Sequence, residues 1–130
     1  AGTEDCLTPF FLIFFFMVDT IPYLTVEEKA VLNDIKASLT TLLHGRAYRV
    51  VLFGSKARVD FDKTSDVDLA IIVEGLDRKL KNSIIDAIAD VELEHFLYVS
   101  TVILSTEEFA HLRSRERRVA LDIESEGIEL

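Results

Sequence analysis

The stretch that decides the fold is VVLFGSKARVDFDKTSDVDLAIIV, residues 50–73. A first apolar run ends at Gly54-Ser55, and a second begins with Asp66 and Asp68, one residue apart. Because side chains alternate between the two faces of a strand, the two aspartates are expected on the same face. Two like charges at the end of a buried strand are costly unless a cation pairs them. Mg²⁺ fits, since it takes oxygen ligands, often carboxylates together with substrate phosphates.

The Gly54-Ser55 turn is suited to a phosphate. Glycine lets the backbone approach a ligand closely, and backbone N–H groups at a helix start suit an anion. Lys56 and Arg58 add positive charge nearby. Alone, Gly-Ser usually marks a turn, and Asp-x-Asp is usually a strand-edge or loop feature, but their occurrence on consecutive strands is far more specific. Together they predict metal-assisted phosphoryl or nucleotidyl transfer. The spacing excludes a Walker A loop.

Outside this stretch, helical and strand patterns alternate. Thr25 and Glu28 have the spacing of a capping box, which predicts a helix that stops near Gly45. A last helix is predicted from Thr106 to near Gly127. Between them we predict strands at 48–53, 66–73 and 97–104 and a helix at 77–95. Helices interleaved with three strands favour a small α/β fold in which helices cover the sheet.

Length and composition narrow the class of protein. The chain has 130 residues, which fits one compact domain, and a formal net charge of −9. Such a charge makes nucleic acid an unlikely partner, because phosphate contacts need Lys and Arg. The single cysteine, Cys6, cannot form an intramolecular disulfide. A reducing, cytoplasmic setting is the simplest interpretation.

The N-terminal segment carries the apolar run PFFLIFFFMV, residues 9–18. It is shorter than the roughly 20 residues that span a bilayer, and it lacks the positive start of a secretory signal. Three interpretations remain: a leader that precedes a natural start at Met17, an apolar arm, or, least favoured, a targeting segment. We therefore set residues 1–18 apart and assign residues 19–130 to one domain.

The segment GSKARVDFDKTSDVDL resembles the signature of minimal nucleotidyltransferases of the DNA polymerase β-like superfamily. In that signature Gly-Ser is followed, after ten residues, by Asp-x-Asp, and ten residues separate Ser55 from Asp66. Ser65 matches the serine before the first aspartate, and the resemblance extends over residues 25–130. It implies a mixed sheet flanked by helices. It also implies that Gly54 and Ser55 hold phosphates and that Asp66 and Asp68 are catalytic ligands of Mg²⁺.

The resemblance also implies a reaction and a partner. The family transfers a nucleoside monophosphate from a nucleoside triphosphate, usually ATP, and two Mg²⁺ ions clamp the attacking and leaving oxygens. So small a chain has little room for its own acceptor domain. In the family the acceptor is often a HEPN-type helical protein, and the pair can work as toxin and antitoxin. A homo-oligomer is also compatible with the sequence.

Two positions depart from the family pattern. Val59 stands where the family usually has glycine, and Ser100 stands where many members carry a third carboxylate on the third strand. Glu92 and Glu94 are alternatives, but both fall at the end of the predicted helix. Ser100 keeps a second hypothesis open, in which a catalytically weak relative binds nucleotide or sequesters a partner. Transfer to a small molecule or to an RNA end is a third hypothesis.

Other polar groups are given less weight. The arginines of the last helix are expected to be a solvated face, with docking of an acidic partner or RNA as the alternative: Arg113, Arg115, Arg117 and Arg118. Asp60 and Asp62 are expected to be solvated. The three histidines, His44, His95 and His111, are assigned no chemistry.

Overall fold

The computed structural model describes residues 21, 24–54 and 67–130. Its first helix, α1, is Val26–Leu42 and begins at the predicted capping box. The backbone N–H of Glu28 donates to Thr25 Oγ1 at 3.1 Å, and the N–H of Thr25 donates to Glu28 Oε1 at 2.8 Å. These two bonds satisfy donors that a helix start otherwise leaves unpaired. The helix ends just before Gly45, as predicted, and Gly45 has a φ of 78°.

Three longer strands and a second helix follow. Strand β1 is Tyr48–Phe53, β2 is Val67–Val73 and β3 is Val99–Ser105. Helix α2, Arg78–His95, connects β2 to β3 and begins at Asp77, whose side chain accepts from the N–H of Leu80. β1 and β2 are antiparallel, whereas β2 and β3 are parallel, so the sheet is mixed as expected. The third strand begins two residues later than predicted.

The C-terminal region differs from the prediction of one helix. Helix α3, Thr106–Ser114, and helix α4, Arg118–Glu126, are separated by a turn in which Glu116 has a φ of 52°. The N–H of Arg117 bonds to the carbonyl of Leu112 at 3.0 Å, as in a Schellman helix end. The prediction was wrong because the turn contains neither Gly nor Pro.

A short strand that the sequence did not indicate follows α4. Strand β4, Ile128–Glu129, pairs antiparallel with Val51 and Leu52 of β1. Within the described residues the sheet therefore has four strands, rather than the predicted three, in the order β3-β2-β1-β4.

Two apolar clusters cover opposite faces of the sheet. The larger face cluster joins Leu52, Leu69 and Ile71 to buried residues of the two long helices. From the helices it takes Val31, Leu32, Ile35, Leu39, Ile84, Ile88 and Val91. The smaller face cluster contains six buried residues: Val51, Ala70, Ile72, Phe109, Ala120 and Ile123. Side-chain alternation along β2 thus directs Leu69 and Ile71 to one core and Ala70 and Ile72 to the other.

The arginine cluster of the C-terminal region is exposed, as expected. Two arginines of the C-terminal cluster pair with acids of α4: Arg113 Nε lies 2.9 Å from Glu124 Oε1, and Arg118 Nε lies 3.5 Å from Asp122 Oδ1. No helix of the described residues is long and apolar enough to cross a membrane. The domain limits of 19–130 stay a prediction, and residues 1–18 lie outside the described residues.

Candidate active site

Asp68 lies at the start of β2, on the face of the sheet that carries the smaller face cluster. In the strand registers it is opposite Phe53 of β1 and beside Ser100 of β3. Because side chains two residues apart share a face, Asp68 points to the side of Ala70 and Ile72. Those two residues are buried, whereas Asp68 is only half-buried. The carboxylate therefore stands at the open end of an otherwise covered face.

Gly54 packs directly against this carboxylate. A Cβ at residue 54 would overlap Asp68 Oδ2 and lie 3.1 Å from Asp68 Cγ and 3.3 Å from Asp68 Cβ. Gly54 also has a φ of 77°, a left-handed conformation that residues with a side chain adopt at a cost. Two independent requirements, space and backbone conformation, thus favour glycine here. The structure brings together two of the residues that the sequence singled out.

Ser100 occupies the position beside Asp68 on the neighbouring strand. Its Cα is the register partner of the Asp68 Cα, and its side chain is half-buried. Paired residues on adjacent strands point to the same face, so the Ser100 hydroxyl and the Asp68 carboxylate line the same end of the sheet. A neutral hydroxyl, rather than a third carboxylate, therefore stands next to Asp68.

The two alternative acids are engaged elsewhere. Glu92 Oε2 accepts a 3.0 Å hydrogen bond from the N–H of Val99 and so ties the end of α2 to the start of β3. Glu94 lies with Asp34 and His95, and their ligand atoms are all within 4.8 Å of one another. His95 Nε2 is hydrogen-bonded to Asp34 Oδ2. Since α1 and α2 cover the larger face, this cluster lies on the opposite side of the sheet from Asp68.

The His95–Asp34 contact was missed in the sequence. The two residues are 61 positions apart, so no local spacing connects them. Such a group of acids and a histidine is able to hold a metal ion, but it also forms a hydrogen-bonded contact between two helices. It fastens the C-terminal end of α2 to α1.

Part of the predicted site lies outside the described residues. This applies to the phosphate-binding and metal-binding candidates Ser55, Lys56, Arg58, Ser65 and Asp66, and to Val59, Asp60 and Asp62 in the same segment. Their roles stay predictions. The described half of the site is Gly54, Asp68 and Ser100.

The match to a protein family extends well beyond this site. The family model described as "Nucleotidyltransferase domain" matches residues 32–125. That span includes both predicted motifs, the helix α2 and the strand β3. The chain therefore belongs to the nucleotidyltransferase-domain family, and the resemblance to minimal nucleotidyltransferases of the polymerase β-like superfamily is confirmed. Membership of this family makes the chain a transferase with an α/β fold.

Two proteins of Methanocaldococcus jannaschii are similar to the chain. The first, named "Putative protein adenylyltransferase MJ0141", is 35% identical over 79 residues, which are 60% of this chain and 80% of that protein. The second, named "Putative protein adenylyltransferase MJ0604", is 32% identical over 83 residues, which are 64% of this chain and 78% of that protein. The likeness thus covers most of the length of both relatives.

Proposed function

We propose that the chain is a Mg²⁺-dependent nucleotidyltransferase that moves AMP from ATP onto a hydroxyl group of a protein partner. The observation that supports this most directly is the contact between Gly54 and Asp68. It sets a turn suited to phosphate against a carboxylate suited to a metal. Membership of the nucleotidyltransferase-domain family supports the class of reaction.

The described residues fit a magnesium ion. Asp68 offers a half-buried carboxylate, Ser100 offers a hydroxyl beside it, and the lack of a Cβ at Gly54 keeps the approach to Asp68 clear. These are oxygen donors, the ligand type that Mg²⁺ prefers. Asp66 and Asp68 would hold the metal, which would neutralise charge on the phosphates during transfer.

The reaction needs little else from the protein. The acceptor hydroxyl oxygen forms a bond to the α-phosphorus, the bond from that phosphorus to the bridging oxygen breaks, and pyrophosphate leaves. The hydroxyl proton passes to solvent, because Ser100 offers no carboxylate to take it. Gly54 and Ser55 would orient the leaving phosphates, and Lys56 and Arg58 would offset their charge. Positioning and electrostatics are the main sources of rate in such transfers.

A protein acceptor is the substrate that the comparisons favour. Both similar proteins carry the name protein adenylyltransferase. The described residues contain no added helical domain for an acceptor beyond the sheet and its covering helices. A HEPN-type helical partner, with the pair acting as toxin and antitoxin in the cytoplasm, extends this proposal.

The proposal is tested with ATP labelled on the α-phosphate. The chain is incubated with Mg²⁺ and with the protein encoded beside its gene, and label on that protein is measured by gel. We expect transfer with ATP labelled at the α-position and none with ATP labelled at the γ-position. Intact binding of Mg·ATP without any label on the partner would refute the enzymatic function.

Ser100 favours a second function, a nucleotide-binding relative that sequesters its partner. The substitution Ser100→Asp separates the two. If the wild-type chain transfers AMP, the change alters an existing rate. If only Ser100→Asp transfers label, while both forms bind Mg·ATP and the partner, the wild-type chain is the sequestering relative.

A further inference from the structure

Three large apolar side chains are exposed at the junction between α2 and β3. Leu93 is 72% exposed, Phe96 is 95% exposed and Tyr98 is 68% exposed. Together with Ala89, Glu92 and Leu97 they line one groove of about 510 Å³. We call Leu93, Phe96 and Tyr98 the aromatic patch. Isolated exposed apolar residues are common, but a contiguous group beside a site indicates an interaction surface.

The apolar surface continues along α2. Ile85, which is 45% exposed, and Ala89 precede Leu93 at intervals of four residues, so they share one helical face. The core-facing residues of the same helix, Ile84, Ile88 and Val91, are buried. The helix thus has a second apolar stripe that its own core does not use. From Ile85 to Phe96 the stripe is about 16 Å long at 1.5 Å per residue, which suits a helix laid alongside it.

Phe96 is an unfavourable residue for its own position. It ends α2 in a left-handed conformation with a φ of 52°. Helices usually end in this conformation at Gly or Asn, which adopt it at little cost. Being almost fully exposed, the phenyl ring gains little from packing in the free protein. The residue therefore costs stability through its backbone and gains little through its ring, which favours a role in binding.

The aromatic patch adjoins the active site. Leu97 packs against the larger face cluster, and Val99 is buried on the same side. Tyr98 directly precedes β3, and the start of β3 lies at the end of the sheet that carries Asp68. Tyr98 precedes Ser100 by two residues, and Ser100 is the register partner of Asp68. The Cα atoms of Tyr98 and Asp68 are therefore on the order of 10 Å apart, because a strand advances about 3.3 Å per residue and neighbouring strands lie about 4.8 Å apart.

The charge around the patch indicates the kind of partner. Asp86, Asp90 and Glu94 are exposed on α2, and the whole chain has a formal net charge of −9. A second copy of the chain would bring further negative charge to this surface. A partner with apolar side chains flanked by Lys or Arg would match both the stripe and its acidic surroundings.

We propose that the aromatic patch and the apolar stripe of α2 are the docking surface for the protein acceptor. The acceptor binds through an amphipathic helix whose apolar face is bordered by basic residues. Docking there places the acceptor beside the open end of the sheet that carries Asp68. This inference rests on the proposed function and adds the surface that selects the acceptor.

The decisive variant is Phe96→Asn, because asparagine tolerates the left-handed conformation. We expect its Tm to be equal to or a few degrees above that of the wild type, and its affinity for Mg·ATP to be unchanged. Its KM for the protein encoded by the adjacent gene should rise at least about tenfold, as for a central interface aromatic. Leu42→Asn is the matched control, since Leu42 is an exposed apolar residue, 37% accessible, in the last turn of α1, which leads into the end of β1 remote from Asp68. The control should leave that KM unchanged.

Calorimetric titration of the same partner into the wild type and into Phe96→Asn separates this inference from the proposed function. If the wild type binds the partner but transfers no AMP, the proposed function fails, while weaker binding by Phe96→Asn still supports the docking surface. Equal affinities or equal KM values in the two forms overturn the docking surface, whatever the activity. A change in sedimenting mass of the chain alone on Phe96→Asn would identify a second copy as the occupant and would also overturn it.

Discussion

The two faces of β2, a strand of seven residues, are covered to different extents by helices. Leu69, Ile71 and Val73 lie under the two long helices, of 17 and 18 residues, and are fully buried. On the other face, Ala70 and Ile72 lie under two helices of nine residues each. The shorter cover reaches these two residues but leaves Asp68 half-buried.

This difference shows how a small domain holds both a core and a site. Alternation along one strand supplies apolar side chains to both faces, so the strand stays anchored even where one face is open. The proposed site lies where the covering helices end, and its described residues come from strand ends and the turn after β1. Function and stability should therefore respond to different substitutions along the same strand.

The largest expected effect is on activity, at the uncovered end. Asp68→Asn keeps the size of the side chain and removes the proposed metal ligand. We expect AMP transfer to fall by more than the roughly 10–100-fold that residues supporting a metal ligand usually cost. The free energy of unfolding should change by less than about 1 kcal/mol, because the group is half-exposed. Rates of label transfer and urea unfolding measure the two quantities.

Glu107→Gln is the matched control for this prediction. Glu107 is exposed in the first turn of α3, which follows the end of β3 away from Ser100 and Asp68. The control should retain activity. A full loss of activity in the control, or full activity in Asp68→Asn, would contradict the assignment of Asp68.

The next largest expected effect is on stability. It compares the helices that cover the two faces of β2. Ile71 is 0% exposed in the larger cluster, and Ile72 is 3% exposed in the smaller one. Truncating a buried isoleucine to alanine costs about 2–5 kcal/mol, depending on how far the surroundings relax. We expect Ile71→Ala near the upper end of this range and Ile72→Ala near the lower end, since the smaller cluster can collapse more easily. Equal losses of unfolding free energy in the two variants would contradict this difference, because they would show that the two clusters relax equally.

A smaller effect is expected at Gly54. Gly54→Ala forces a side chain into the left-handed region, which costs about 1–2 kcal/mol, and also pushes against Asp68. Gly45→Ala is a close control, because Gly45 has a φ of 78° but no atom within 4 Å of the position that a Cβ would take. Gly54→Ala should lose at least as much stability as Gly45→Ala. Only Gly54→Ala should weaken Mg·ATP binding in calorimetry, and equal binding by the two would separate Gly54 from the site.

Much of the fold could be predicted because its signals are local. The capping pair Thr25 and Glu28 fixes the start of α1, and the apolar run up to Gly54 fixes β1. The two motifs on consecutive strands also indicated that Gly54 and Asp68 belong to one site, whereas their direct packing appears only in the structure. Such signals depend on neighbouring residues and survive without knowledge of the tertiary structure.

The features that were missed depend on distant residues. The two residues of β4 are too few for a strand pattern, and they become a strand only by pairing with Val51 and Leu52. The turn at Glu116 contains no residue that favours it locally; it lets Phe109 and Ala120 pack in the same cluster. At the site, the family resemblance had already pointed to Ser100, and the register of β2 and β3 places it beside Asp68.

The smallest expected effect is a pH dependence of stability that comes from Lys36, at the edge of the larger face cluster. Lys36 of α1 donates from Nζ to the backbone carbonyl of Leu130 at 3.0 Å, and its ammonium lies 5.1 Å from the centre of the Tyr48 ring. Burial lowers the pKa of Lys36 below its ordinary value of 10.5, while the nearby Glu129 carboxylate opposes part of this shift.

The sign of the pH dependence follows from proton binding. Just below pH 10.5 the unfolded chain, with the ordinary lysine pKa, binds more protons than the folded chain. Stability contributed by Lys36 therefore rises as the pH increases toward 10.5. Lys36→Met removes this group, so the difference in unfolding free energy between wild type and variant should shift in favour of the wild type as the pH rises from neutral to alkaline. Urea unfolding of both forms over that range measures the difference, and a constant difference would show that Lys36 titrates as it does in water.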